Sequence, residues 1–228
     1  MRTIPAIAAL AFTIACPVFS AAPESLADIL KRMDRAADSF KDLSADVRWV
    51  QHTAVIDEDS AQTGTMLLKR NKRDTQMLVN FKEPDRKTVQ LHDRKLDIYY
   101  PKQNTVQEYD IGQHRDLLDQ FMLLGFGTSG KELAAVYDMK VLGAETINGE
   151  PTTRIELVPK SADVRRNLLK VEMWIPVSEA YPIQQKFYLP GGDYKLVTYT
   201  NVKMNPGLSD SDLKMKLPKD AKREYPQK

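Results

Sequence analysis

The stretch from Thr63 to Tyr109 constrains the fold most, because its apolar residues recur with a period of two. Met66, Leu68 and Arg70 share one parity, and Met77, Val79 and Phe81 repeat the pattern. So do Val89 with Leu91, and Leu96 with Ile98 and Tyr100. Successive side chains of an extended backbone point to opposite sides, so this alternation gives strands with one apolar face. Lys-Glu-Pro-Asp at 82–85, His-Asp-Arg at 92–94 and Pro-Lys-Gln-Asn at 101–104 are turn-length breaks. The stretch is a β-meander, and one of its apolar faces carries an arginine.

Upstream, Ser25 to Phe40 reads as a helix. Leu26, Ile29, Leu30, Met33, Ala37 and Phe40 fall at helical spacing, and Ser25 with Asp28 makes a capping-box-like start. The first strand covers Ser44 to Thr53, with Val47 and Trp49 on one parity. Downstream, His114 to Leu124 turns helical, with Leu117, Leu118, Phe121 and Leu124 on one side. A second short helix follows over Lys131 to Tyr137, with Ser129 as N-cap and Glu132 completing the box. Strands resume at Asp138–Leu142, Thr152–Val158, Leu169–Ile175, Ile183–Leu189, Tyr194–Val202 and Leu213–Leu217. Asn148-Gly149 and Gly191-Gly192 mark hairpins. The expectation is a mainly β, α+β fold of about eleven strands, counted from alternation and turn spacing.

Residues 1–20 read as a signal peptide. Arg2 precedes an apolar run from Ile4 to Val18, and small residues follow it. The run is too short to span a bilayer as a helix. A single domain over 21–228 is expected, exported and soluble in the periplasm, with no linker dividing it. Cys16, the one cysteine, is either discarded with the signal or a lipid-attachment site, and Thr13 fits the second reading poorly. With 33 basic and 31 acidic residues, the net charge of +2 gives no pull towards nucleic acid.

Several short motifs recur in order. The amphipathic helix is followed by Leu43-Ser44-Ala45-Asp46, then by Gly64-x-x-x-x-Lys69-Arg70. Ile98-Tyr99-Tyr100-Pro101 precedes a turn and Val106, and the last apolar stretch ends in Leu217-Pro218. In this arrangement the chain resembles the outer-membrane lipoprotein carriers, the LolA/LolB-like superfamily. The resemblance implies an unclosed antiparallel β-barrel with an N-terminal helix and a helical lid over a hydrophobic cavity. Arg70-Asn71 stands where that family usually has Arg-Pro.

Under this resemblance the cavity would be lined by Val47 and Trp49, Met66 and Leu68, Met77, Val79 and Phe81, and Val89 and Leu91. Ile98 and Tyr100, Val171 and Met173, and Phe187 would complete it. Leu117, Leu118, Phe121 and Leu124 would form the lid, and Arg70 would latch it through acceptors on the covering helices. Read from the residues alone, Arg70 is either an edge-strand arginine reaching solvent or one whose head sits inside the cavity. Methionines at 66, 77 and 173, with Met122 in the lid, suit a surface that repacks around variable chains, or else fill a solid core.

Chemistry is sparse. His52, His92 and His114 have no metal-ligand spacing, and the G-x-S-x-G motif is missing. Gly125-x-Gly127-x-x-Gly130 matches a phosphate-binding pattern, yet Glu132 follows Lys131 where a P-loop needs Ser or Thr. A hinge between lid helices is the expectation there. No enzyme activity, metal or cofactor is expected. The expected function is a monomeric carrier of the acyl chains of lipoproteins or other lipids towards the outer membrane. An inner-membrane donor complex and an outer-membrane acceptor would be its partners. The alternatives are a sensor or interaction module on the same scaffold, and an enzyme acting on a lipid.

Overall fold

The computed structural model describes residues 24–70, 75–82, 84–112 and 124–227. The meander strands are β1 (Asp42–Thr53), β2 (Glu58–Arg70), β3 (Thr75–Phe81), β4 (Lys87–His92), β5 (Lys95–Tyr100) and β6 (Thr105–Asp110). The second half supplies β7 (Tyr137–Ile147), β8 (Glu150–Pro159), β9 (Lys170–Pro176), β10 (Gln184–Tyr188), β11 (Tyr194–Met204) and β12 (Lys222–Glu224). Helices are α1 (Leu26–Ser39), α2 (Gly130–Val136) and the single turn α3 (Ala162–Arg165).

All the strands lie in one 12-stranded sheet, in the order β12-β6-β5-β4-β3-β2-β1-β11-β10-β9-β8-β7. Each half is built largely of neighbours in sequence, and β1 joins the halves by pairing antiparallel with β11. The outer strands β12 and β7 do not pair, so the curled sheet is an unclosed barrel. Tight turns fix the register. Asp93 and Arg94 have φ of 43° and 66°, and Asn148 and Gly149 have φ of 51° and 84°. Two successive positive φ values match the right-handed twist of the flanking strands. Irregularities between Ser44 and Asp46 and between Val141 and Gly143 bend the sheet.

Two apolar cores occupy the concave side. In one, α1 and α2 cover β7–β9, burying Ile29, Met33 and Leu133 against Ile155, Leu157, Val171, Met173 and Ile175. Ser25 caps α1 by accepting from the Asp28 amide, which fixes where the helix begins. In the other, Phe40 and Phe126 pack on Leu43, Ala45, Val47, Met66, Leu68, Val79, Val197 and Tyr199. Each fully buried aliphatic side chain contributes about 1.5–3 kcal/mol relative to exposure.

The expected strand at Leu213–Leu217 is not formed. That segment is an irregular strap over the outer face of the meander. Gln90 donates to the Leu213 carbonyl (2.8 Å) and accepts from the Met215 amide (3.1 Å). Lys69 Nζ donates to the Leu208 carbonyl at 2.9 Å. Side chains thus satisfy backbone groups that a ladder would otherwise pair, and Leu213 is buried over the sheet. The chain then adds β12 to β6 in parallel, the one parallel pair among the described residues. The expected signal peptide lies outside the described residues, as does the helix at 114–124 apart from Leu124.

Candidate functional site

Pairing registers place the apolar parities of the meander on the concave face in rows. Leu43, Leu68, Met77, Leu91 and Leu96 form one row, and Ala45, Met66, Val79, Val89 and Ile98 the next. Burial changes along the face. Leu68 and Leu91 are sealed at 0% and 1% exposure, and Val47, Met66 and Val79 are buried with them. Met77, Phe81, Val89, Leu96, Ile98 and Tyr100 are only half-buried, as are Trp49 and Phe187 on the other flank. Trp49 and Phe81 meet edge to face, with ring centroids 6.4 Å apart. Val171 and Met173 lie at 0% exposure beneath α1, in the filled core and away from this half-open strip.

The segment that crosses the concave side is anchored from below. Leu124 is buried, and its carbonyl accepts from Gln185 Nε2 at 2.7 Å. Gln185 Oε1 in turn accepts from the Tyr199 hydroxyl at 2.7 Å. Burial raises the pKa of that hydroxyl well above a phenol's ordinary value, so it serves as a donor throughout the physiological range. Phe126 then inserts beside Tyr181 and Tyr199, with centroids 6.1 and 4.9 Å away.

The G-x-G-x-x-G match is explained by packing. Gly125 and Gly127 have φ of 83° and 72°, and a β-carbon on Gly127 would run into the Phe40 ring. One on Gly130 would lie 2.8 Å from the Leu30 carbonyl oxygen in α1. All three glycines are buried, so this is a wedged crossing rather than the expected freely moving hinge. Immediately after it, Ser129 and Glu132 form the expected reciprocal capping box at the start of α2.

Arg70, at the end of β2, reaches this crossing. It donates to the Gly127 carbonyl and lies 3.4 Å from Glu132 Oε1. Its side chain is 35% exposed, so the cation is partly hydrated rather than enclosed in an apolar cavity. Burial pushes the Glu132 carboxyl up, but hydrogen bonds from Ser129 and the charge of Arg70 outweigh this and lower its pKa. Leu117, Leu118 and Phe121 of the expected lid lie outside the described residues. The sequence reading overlooked Gln185 and Tyr199. The available signal was a glutamine on the inward parity of β10, next to Phe187.

His52 stacks on Tyr194 and lies 2.8 Å from Asp59, and His92 sits 3.3 Å from Asp97. Among the described residues no group of three or more His, Cys, Asp or Glu could hold a metal. Nor is any described helix long and apolar enough to cross a membrane.

No family model matches the chain, and no curated protein matches it. Solved structures do. An uncharacterized conserved protein from Thermus thermophilus is 13% identical, with a TM-score of 0.53 over 87% of this chain and 98% of that one. MucB is 14% identical with a TM-score of 0.50, and the match spans 84% of this chain but only 62% of MucB. A LolA superfamily protein, NE2245 from Nitrosomonas europaea, is 16% identical over 84% of this chain and 98% of that chain, at a TM-score of 0.40. The chain shares its fold with the Thermus thermophilus protein and with the matched part of MucB. At such identities the likeness is one of architecture, and the half-open strip and the Arg70 contact are properties of this chain's own residues.

Proposed function

We propose that the protein is a carrier that shelters the acyl chains of a lipoprotein or another lipid on its concave face and passes them to an acceptor. No covalent step is involved. The observation that carries this reading is the contrast between the two apolar regions. The core beneath α1 is packed dry, whereas Met77, Phe81, Val89, Ile98 and Tyr100 form a contiguous apolar strip that stays half-open. Such a strip costs free energy when wet and is stabilised by an apolar occupant. The Arg70 contact with Gly127 and Glu132 would act as the latch on the crossing segment. Export to the periplasm, a donor complex in the inner membrane and an acceptor in the outer membrane complete the reading.

A hydrophobic fluorescent probe should bind the folded protein, and a diacylated or triacylated lipopeptide should displace it. A probe that binds only through the unfolding transition would end the carrier reading and leave the fold intact. One observation favours a second reading, an interaction module. Val55 and Ile56 at the tip of the β1–β2 hairpin are 91% and 61% exposed, an apolar point beside Asp57, Glu58 and Asp59. If that tip engages a partner protein, Val55→Ser should abolish capture of the partner without changing probe binding.

A further inference from the structure

The charges on the two faces of the sheet are arranged differently. On the outer face four lysines are matched by carboxylates, while Lys186 lies over the Tyr188 and Tyr194 rings. Lys69 pairs with Asp210, Lys95 with Glu108, Lys140 with Glu156, and Lys170 with both Glu156 and Glu172. On the concave face the pairing registers bring in Arg70, Lys87 and Lys195 and almost no acid. Lys87 stands opposite Phe81, and Lys195 opposite Phe187 and Gln51. The acidic residue of that register in the β1–β2 hairpin, Glu58, stands at its exposed end.

Instead of carboxylates, the inner lysines meet rings. Lys87 Nζ lies 5.2 Å from the centroid of Phe81, and Lys195 Nζ lies 5.8 Å from that of Trp49. These two rings are the edge-to-face pair at one end of the apolar strip. The strip therefore ends in an aromatic pair flanked by cations, and neither lysine forms an ion pair among the described residues. A ring holds a lysine in place by its quadrupole without neutralising it. The ammonium groups keep their charge and their donors for a further partner.

We infer that the cargo is an amphiphile with an anionic, phosphate-type headgroup, and that Lys87 and Lys195 select it. The acyl chains would lie along Met77, Val89 and Ile98, and the headgroup would sit at the Trp49–Phe81 end. This inference rests on the carrier reading. It adds the chemistry of the headgroup, for which a purely apolar cargo gives no reason.

The test compares lipids with identical acyl chains. Displacement of a bound fluorescent fatty-acyl probe is measured with phosphatidylglycerol, with diacylglycerol and with inorganic phosphate. The anionic lipid should bind roughly tenfold more tightly than the neutral one, as expected for a charge-assisted contact. That ratio should fall towards one in Lys87→Gln/Lys195→Gln and with rising salt. Lys186→Gln, on the outer face over Tyr188 and Tyr194, should keep the ratio. Equal affinity for the two lipids in the wild type would overturn the headgroup inference and leave the carrier standing. So would an unchanged ratio in the double variant. Displacement by phosphate alone at similar concentrations would overturn it too, in favour of a free-anion site. Binding of neither lipid would overturn the carrier itself.

Discussion

Replacing Arg70 by leucine separates a latch from a surface arginine. The cation makes one bond to the Gly127 carbonyl and one longer contact, 3.4 Å, to Glu132. In a sheltered site, bonds from a charged donor contribute about 1.5–3 kcal/mol. An exposed ion pair contributes about 0.2–1 kcal/mol. With 35% of the side chain exposed, the shelter is partial, and about 1–2 kcal/mol is the fitting range for the whole contact. That corresponds to roughly a 5–30-fold bias towards the state in which the crossing segment is held to β2. Bound acyl chains would compete with this state, so holding it favours release.

The Arg70→Leu protein should still load a labelled lipopeptide, and should pass it to acceptor vesicles roughly 5–30-fold more slowly. Arg70→Lys should give an intermediate rate, because a single ammonium cannot reproduce the two-pronged geometry of a guanidinium. Glu132→Gln keeps an acceptor for the capping box and should slow release by no more than about fivefold. Equal release from wild type and Arg70→Leu would refute the latch. A large drop in thermal midpoint for Arg70→Leu would refute it in another way, by making the arginine a structural support.

Gly127→Ala should destabilise the fold by about 2–4 kcal/mol in chemical denaturation, since it adds a strained positive φ to a clash with the Phe40 ring; a change below about 1 kcal/mol would mean the crossing is loose. Gln185→Leu leaves the Leu124 carbonyl and the buried Tyr199 hydroxyl without a partner, and should cost about 2–4 kcal/mol by the same measurement. Burial raises the pKa of Tyr137 from 10.0 to about 12, so its neutral form is favoured in the fold. The unfolded chain loses that proton first, so stability from this group is complete below pH 10 and is lost as pH rises towards 12. Denaturant midpoints across that range should fall for the wild type and fall less for Tyr137→Phe.

The meander was legible because one face of each strand is buried, which forces the period of two that Met77, Val79 and Phe81 display. The N-cap at Ser25 and the capping box at Ser129 were legible because they are local chemistry. Leu213–Leu217 misled because alternation reports which side chains are covered and says nothing of backbone pairing. There the coverage comes from lying over β4 at Gln90 while the backbone bonds to side chains. The strand that does form, β12, is three exposed polar residues with no alternation to read. The Arg70 contact was legible as a type of contact, an arginine reaching acceptors on covering elements. Whether its head lies in the cavity or in solvent was open, because exposure is set by elements far away in sequence.

The same limit explains why the sequence could not divide the cavity list. Val171 and Met173 carry the same inward parity as Val89 and Ile98, yet α1 closes over the first pair and leaves the second half-open. A helix 14 residues long, about 21 Å, can cover only a few strands spaced about 4.8 Å apart. Covering β7–β9 leaves it too short to cover β3–β5 as well. The filled half then holds the curvature of the sheet whatever happens in the other, since close-packed cores deform little. A half-open apolar face next to a stiff, filled one is an arrangement in which an occupant can enter and leave without unfolding its host.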